Sequence, residues 1–306
     1  MAILTFTRQP GSIGDEIGMM IARRLGYTFF DRKEIEKRII EKGFPLDKFR
    51  KYDERKPRFF DNFDRDRDEY LNYLQKVIYE MARQNNCVIV GRGAFLFLSG
   101  VENHVALRFV SSDKDRLAHI KETQNITDDK QAQKWMEDAD KRQASFYKSY
   151  FKYSLIDHNA IHATVNTSLV PPEMLTDMLV AGLKNNVTPE IEKLGEARVD
   201  ELILAQEVTT KIVTEHKLPI DELWVRVDGK TMQLYGLTAS SAIVERAITI
   251  INTDFPGYDV HSFVRCVQDF RNSGKQILSD KFHKLSEISD KASEFNEKMS
   301  EKLKSY

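Results

Sequence analysis

Ile3-Leu4-Thr5-Phe6-Thr7-Arg8-Gln9-Pro10-Gly11-Ser12-Ile13-Gly14-Asp15-Glu16-Ile17 is the stretch whose reading decides the fold. Ile3 to Thr7 is β-rich, and the run breaks at Gln9 to Gly14. A helix is expected from about Asp15 to Leu25, because Ile17, Met20, Ile21 and Leu25 recur at helical spacing. Gly26 ends it, and Tyr27-Thr28-Phe29-Phe30 reads as a second strand closing on Asp31-Arg32. Strand, glycine loop, helix and strand form a βαβ unit, which implies a parallel sheet. In that setting the exposed backbone N–H groups of Gly11, Ser12, Ile13 and Gly14 and the positive end of the helix make a phosphate site. A tight strand-to-helix turn explains the loop taken alone equally well.

Working outward, Cys87-Val88-Ile89-Val90 is the clearest buried strand, ending on Gly91-Arg92-Gly93, and His104 to Val110 is another. Lys33 to Gln84 is helical and charge-rich, with a break expected at Asp53 to Pro57. A helix begins near Ser112 or Asp113, and a polar one covers Trp135 to Phe151. Ala163 to Thr167 is the last strand of this half, and Pro171-Pro172-Glu173 opens a helix to Leu183. Asn185 to Pro189 is the best linker candidate. Beyond it, a helix from Val199 to Glu215 precedes strands Leu223–Val227 and Thr231–Leu237, with the hairpin signal Asp228-Gly229 between them. A helix over Ser240 to Asn252 and a strand over Tyr258 to Val267 complete that half. Leu278, Phe282, Leu285, Ile288, Ala292, Phe295, Met299 and Leu303 then mark an amphipathic helix with a coiled-coil-like seam.

A chain of 306 residues is expected to hold about two domains. With 41% apolar and 30% charged residues, it has the composition of a globular protein with a well-solvated surface. The formal net charge of -1 provides no overall attraction to nucleic acid or anionic lipid, so any basic site must be local. The N-terminus lacks the basic start and apolar core of a signal peptide, and no stretch reaches the ~20 apolar residues of a membrane span. Cytoplasmic residence is the resulting expectation. Cys87 and Cys266 sit in apolar runs and are expected to be small buried hydrophobes. His158 and His162 lie four apart without a metal framework around them and are read as structural.

Against the phosphate-loop pattern Gly-x-x-x-x-Gly-Lys-Ser/Thr, the loop lacks its chemical residues. Asp15 stands where a lysine should follow Gly14, and Glu16 stands where Ser or Thr would hold Mg²⁺. An acid in the first turn stabilises the helix but repels an incoming polyphosphate. Arg8 is the nearest cation able to take the lysine's place.

Taken together, Thr7 to Ile17, Gly26 to Arg32 and Val88 to Ala94 resemble the cytidylate kinase-like family, a divergent relative of bacterial cytidylate kinases within the P-loop kinases. The resemblance covers roughly Met1 to Leu183. It implies an α/β fold with a P-loop kinase-type parallel sheet flanked by helices. It also implies that Asp31 and Arg32 begin the monophosphate pocket and that Arg92 grips the monophosphate. A planar guanidinium suits that task through two parallel charged hydrogen bonds. Asp140, Lys141 and Arg142 fall where these kinases carry a mobile lid, whose cations neutralise charge on the transferred phosphoryl group. Ile13 departs from a glycine common in the family loop, and the lid carries fewer arginines. Val199 to Val267 resembles a BON domain, a small α+β module associated with phospholipid surfaces or with binding other molecules. Here no polybasic patch supports membrane contact, so a protein-interaction or ligand-sensing role is expected at least as much as contact with a membrane.

The expected organisation is a nucleotide-binding domain over 1–185, a BON-like domain over 196–268 and an amphipathic tail over 269–306. The expected activity is γ-phosphoryl transfer from ATP, with Mg²⁺, to a nucleoside monophosphate such as CMP. Catalytic roles fall to Arg8, Asp140 and Arg142, donor binding to Gly11 to Gly14, and acceptor binding to Asp31, Arg32 and Arg92. A non-catalytic nucleotide sensor signalling through the C-terminal module is the alternative. The expected partners are small-molecule nucleotides rather than nucleic acid, together with a second copy of the chain through the tail. An exposed apolar stripe of the tail's length is unfavourable in water. The full chain is therefore expected to sediment as a dimer and a chain ending near Gln268 as a monomer; two monomers would reject the dimer.

Overall fold

Alternation along β1 (Ile3–Arg8) sends Leu4 and Phe6 to one face of a sheet and Ile3 to the other, and all three are buried. A strand covered on both faces belongs in the middle of a parallel α/β layer. The computed structural model describes residues 2–46, 65–155, 157 and 159–267. It divides into two compact units, the first ending at Ile203 and the second beginning at Leu204.

In the first unit β1 leads to α1 (Gly14–Leu25), β2 (Thr28–Phe30), α2 (Arg32–Glu41) and α3 (Arg65–Arg83). Then follow β3 (Cys87–Val90), α4 (Ala94–Phe97), β4 (His104–Val110), α5 (Asp113–Thr123) and α6 (Asp129–Phe151). β5 (Ala163–Asn166), α7 (Pro172–Asn186) and α8 (Pro189–Thr210) complete the order. The sheet runs β2-β3-β1-β4-β5, with every pairing parallel. From β1 the chain moves toward the β2 edge, whereas from β3 and β4 it moves toward the β5 edge. Such a reversal opens a crevice at the carboxyl ends of the strands, where open α/β sheets place ligands.

One face packs Leu4, Phe6, Val90 and Phe109 against Ile17 and Ile21 of α1 and Leu175 of α7. The other sets Ile3 and Ile89 against Ile35 and Ile39 of α2 and Leu74 and Val77 of α3. Burying each such side chain contributes about 1.5–3 kcal/mol. Gly18 is where α1 meets β1 most closely, since a Cβ there would stand 2.3 Å from the Phe6 ring.

α6 begins earlier than Trp135 because the Asp128 carboxylate caps it, accepting from Gln131 N at 2.8 Å. Likewise α8 begins at Pro189 rather than Val199, with Thr188 Oγ1 accepting from Ile191 N. The segment expected as a linker holds the junction of α7 and α8 at Val187 and Thr188. Asn85 Nδ2 donates to Glu192 Oε1 at 2.8 Å and to Glu196 Oε1 at 3.1 Å, which ties the start of α8 to the turn before β3. Val199 accordingly joins the first unit's core, while Ala205 and Val208 belong to the second.

In the second unit α8 passes through a π-helical turn (Lys211–Glu215) to β6 (Asp221–Asp228), β7 (Thr231–Thr238), α9 (Ser241–Asp254) and β8 (Asp259–Cys266). β6 and β7 form an antiparallel hairpin, and β8 adds to β7 in parallel across α9. Val225, Val227, Met232 and Leu234 face Val208 and Ile212 of the first helix and Ile251 of α9. On the opposite face Trp224, Tyr235 and Phe263 share one register row, with ring centroids 4.7 and 5.1 Å apart.

Cys87 is buried, and burial pushes its thiol up to about 12, but Cys266 is exposed, contrary to expectation, because it lies at the end of an edge strand. The expected break at 53–57, His158 and the tail over 269–306 lie outside the described residues. Among the described residues no helix is long and apolar enough to cross a membrane.

His104 is buried within the first unit, where its Nε2 meets Thr5 Oγ1 at 2.7 Å. Its ring stands 5.9 Å from that of His162, whose Nδ1 accepts from Ala106 N at 2.8 Å. Burial, with the second imidazole nearby, brings His104 from 6.5 down to about 3. The unfolded chain therefore binds the extra proton between those values, so stability rises with pH across the window and is lost as pH falls through it. Denaturant unfolding at stepped pH should show stability declining below about pH 6.5, with His104→Gln flattening the slope between about pH 6.5 and 5. An unchanged slope would assign the acid sensitivity to other groups.

Candidate active site

The glycine loop sits at the carboxyl end of β1, in the crevice left by the reversal. Its carbonyls are drawn into the protein. Gln9 O accepts from Ser12 N at 3.1 Å, Pro10 O from Arg116 Nε at 2.9 Å, and Ser12 O from Thr167 Oγ1 at 2.8 Å. Gln9 bridges to the end of β4, its amide donating to Phe109 O and its Oε1 accepting from Ser111 N. By contrast, among the described residues the amides of Gly11, Ile13, Gly14 and Asp15 donate no hydrogen bond. No side chain caps α1. The buried Ser12 Oγ also has no partner among the described residues. A concave set of free donors at a helix start is the arrangement that receives a phosphate.

Two loop glycines are required by space. A Cβ on Gly11 (φ 81°) would lie 2.7 Å from Arg116 O, and one on Gly14 would lie 2.9 Å from Arg8 Cβ. Ile13, at φ 51° and ψ 18°, occupies the left-handed region as the residue before α1. That conformation explains why a glycine suits the position, and in a β-branched residue it costs about 1–2 kcal/mol.

Arg8 ends β1 and turns back on the helix start. Its Nη2 donates to Asp15 Oδ2 at 3.0 Å, and its Nε lies 2.8 Å from Asp15 Oδ1. Asp15 thus engages the cation expected to replace the lysine. Glu16 Oε1 lies 3.2 Å from His119 Nε2.

Arg92 is not a surface arginine: its side chain is 1% exposed. Its guanidinium contacts Glu36 Oε1 and lies 5.3 Å above the Phe146 ring. Arg32 Nε reaches the same Glu36 Oε1 at 2.6 Å, so the two expected acceptor-binding arginines share one carboxylate. Burial pushes Glu36 upward, but the Arg32 hydrogen bond and the Arg92 charge outweigh it and hold the carboxyl below its usual range. Gly91, Arg92 and Gly93 all have positive φ, and a Cβ on Gly93 would stand 2.3 Å from Phe151. Asp31 is occupied as the α2 cap, its Oδ1 accepting from Glu34 N at 2.8 Å.

α6 contributes differently from its expected part. Asp140 accepts from Arg116 Nη2 at 2.6 Å, and Gln143 Nε2 donates to Arg8 O at 2.9 Å, so the helix is stitched to α5 and to β1. Arg142 is half-buried and makes no hydrogen bond or ion pair among the described residues. Arg108, on β4, has its pKa lowered by burial, with Tyr147, Tyr153 and Asp140 acting against that. Glu36, Arg116, Gln143 and Arg108 were missed from the sequence. Only Glu36 left a signal, as the i+4 partner of Arg32. A separate groove of about 740 Å³ between α5 and α6, lined by Lys114, Lys121, Lys130 and Lys134, includes none of these residues.

The family model of the cytidylate kinase-like family matches residues 3–169, and the chain belongs to that family. Among solved structures, an uncharacterized protein from Eubacterium ventriosum is similar, with 17% identity, a TM-score of 0.48, and coverage of 60% of this chain and 99% of that one. Shikimate kinase from Acinetobacter baumannii in complex with shikimate has 14% identity and a TM-score of 0.36, covering 61% of this chain and 96% of that one. A gluconokinase from Sinorhizobium meliloti has 16% identity and a TM-score of 0.37, covering 60% and 92%. No curated protein matches the chain.

Removing the buried Arg92 guanidinium leaves Glu36 to Arg32 alone and opens the space above the Phe146 ring. Arg92→Ala is therefore expected to cost about 1–3 kcal/mol of stability. Chemical denaturation measures it; wild-type stability in the variant would return Arg92 to the surface.

Proposed function

We propose that the chain is a nucleoside-monophosphate kinase, transferring the γ-phosphoryl group of ATP to a monophosphate, with CMP the first acceptor to test. The observation that carries this reading is the glycine loop, with its carbonyls tied to the protein and its amides free at an uncapped helix start. Those amides fit the donor's β- and γ-phosphates, and Arg8 supplies the cation beside them. Arg92 and Arg32 would bind the acceptor phosphate once it competes with Glu36 for their N–H groups. Arg142, half-buried and without a partner among the described residues, would approach the transferred group from α6, while Asp140 holds Arg116. Phosphoryl transfer depends mainly on positioning and charge stabilisation, which such an array of arginines provides. Mg²⁺ neutralises charge on the phosphates and in such sites takes only one or two carboxylates from the protein. Glu16, in the first turn of α1, would be the ligand here.

The second unit supports a BON-like accessory module, because helix, hairpin, helix and strand follow one another in the expected order. Gly236 lies where a Cβ would come 2.9 Å from Ile220, opposite the register shift in β6.

The Arg8–Asp15 pair favours a second reading, a nucleotide sensor that binds without transfer. An assay over a panel of monophosphates with ATP and Mg²⁺, run beside direct binding measurements, decides between the two. Transfer by the wild-type chain, abolished in Arg8→Ala while acceptor binding persists, is the expected result. Binding without transfer to any monophosphate makes the chain a sensor. Absence of nucleotide binding rejects both.

A further inference from the structure

Asp15 stands where a lysine-bearing loop would carry its cation, and by its charge alone it would repel a polyphosphate. The geometry points to the opposite role: Asp15 is a positioning residue that aims Arg8 at the donor phosphates, an inference that rests on the kinase reading. A guanidinium carries five N–H groups in a rigid planar fork. Asp15 meets its side edge: Nη2 donates to Oδ2 at 3.0 Å, and Nε lies 2.8 Å from Oδ1 as an ion pair, Oδ1 accepting no hydrogen bond among the described residues. The end edge, formed by Nη1 and the second hydrogen of Nη2, is left for two phosphate oxygens. That edge points across the crevice toward the turn after β3, because a Cβ on Gly91 would stand 3.3 Å from Arg8 Nη1. Gly91 precedes Arg92, so Arg8 reaches toward the place where the acceptor arginine begins.

Two further contacts restrict the same side chain. Gln143 Nε2 holds the Arg8 carbonyl at 2.9 Å, and Gly14 leaves room for its stem, since a Cβ there would stand 2.9 Å from Arg8 Cβ. The pair lies at the mouth of the site, with side chains 27% and 46% exposed for Arg8 and Asp15. A ligand can therefore meet the guanidinium without breaking it out of the core. An unrestrained arginine loses much rotamer freedom when it binds a ligand; Asp15 orders it beforehand.

The two roles for Asp15 predict opposite signs. The test is calorimetry of the full chain with Mg·ATP, inorganic tripolyphosphate and CMP, on the wild type, Asp15→Asn, Arg8→Ala and the double variant. As a positioning residue, Asp15 gives about tenfold weaker ATP and tripolyphosphate binding when changed to Asn, the scale of one hydrogen bond to a charged group. CMP affinity stays the same, and the Asn change adds nothing in the Arg8→Ala background. Equal or tighter ATP binding by Asp15→Asn overturns the inference and leaves the kinase reading standing. A wild-type chain that binds neither ATP nor tripolyphosphate overturns both. Should a melting scan show Asp15→Asn unfolded, Arg8→Lys keeps the charge but loses the fork. It should lose affinity to a similar degree, and retained affinity overturns the positioning role.

Discussion

The candidate site depends on one buried guanidinium. Arg116, in α5, donates through Nε to Pro10 O, lies 3.2 Å from Asp113 through Nη1, and meets Asp140 through Nη2. One planar group thereby fixes the loop, the helix that carries it and the helix that faces it. Its burial strengthens these contacts, since a charge held away from water must be matched by partners in place. With Pro10 O drawn toward Arg116 and Ser12 O toward Thr167, the loop's amides are turned to the open side. The anion site is thus a consequence of where its carbonyls go.

Much of the first unit was legible because its signals are local. Cys87-Val88-Ile89-Val90 and His104 to Val110 are bounded by turn residues and admit few alternatives as strands, and both have the expected limits. The start of α1 follows from the glycine loop, and its end from Gly26 at φ 67°. The helix starts moved where a cap lay further upstream than the apolar periodicity, at Asp128 and Thr188. In the second unit the hairpin was visible through Asp228-Gly229, but the parallel pairing of β8 with β7 is set by the crossover through α9 and leaves no local trace.

The site was legible at the backbone and less so in its charges. The loop's missing lysine singled out Arg8, and the family resemblance Arg92 and Arg32, but neither pointed to the acids that hold them. Asp15 read as a repulsive charge because its partner seven residues earlier lies on another element and meets it only through the turn of the loop. Glu36 joins arginines from α2 and from the turn after β3, a contact across 56 positions. Arg116 and Gln143 reach over 106 and 135 positions, and nothing in their own neighbourhoods distinguishes them from solvated helix residues. Charge partners of this kind are tertiary facts.

The place of β1 in the sheet bears on how the site moves. It is flanked by β3 and β4 and covered on both faces, so its amides can exchange with solvent only through large openings of the unit. The loop that follows emerges from the slowest-opening strand, and the helix it starts packs on that strand at Gly18. α6 meets Arg116 through Asp140 and the Arg8 carbonyl through Gln143, while Phe146 and Tyr147 near its end are buried with Phe95 and with Ala106 of β4. The glycine loop is thus a stationary anvil, its position set by the strand it leaves.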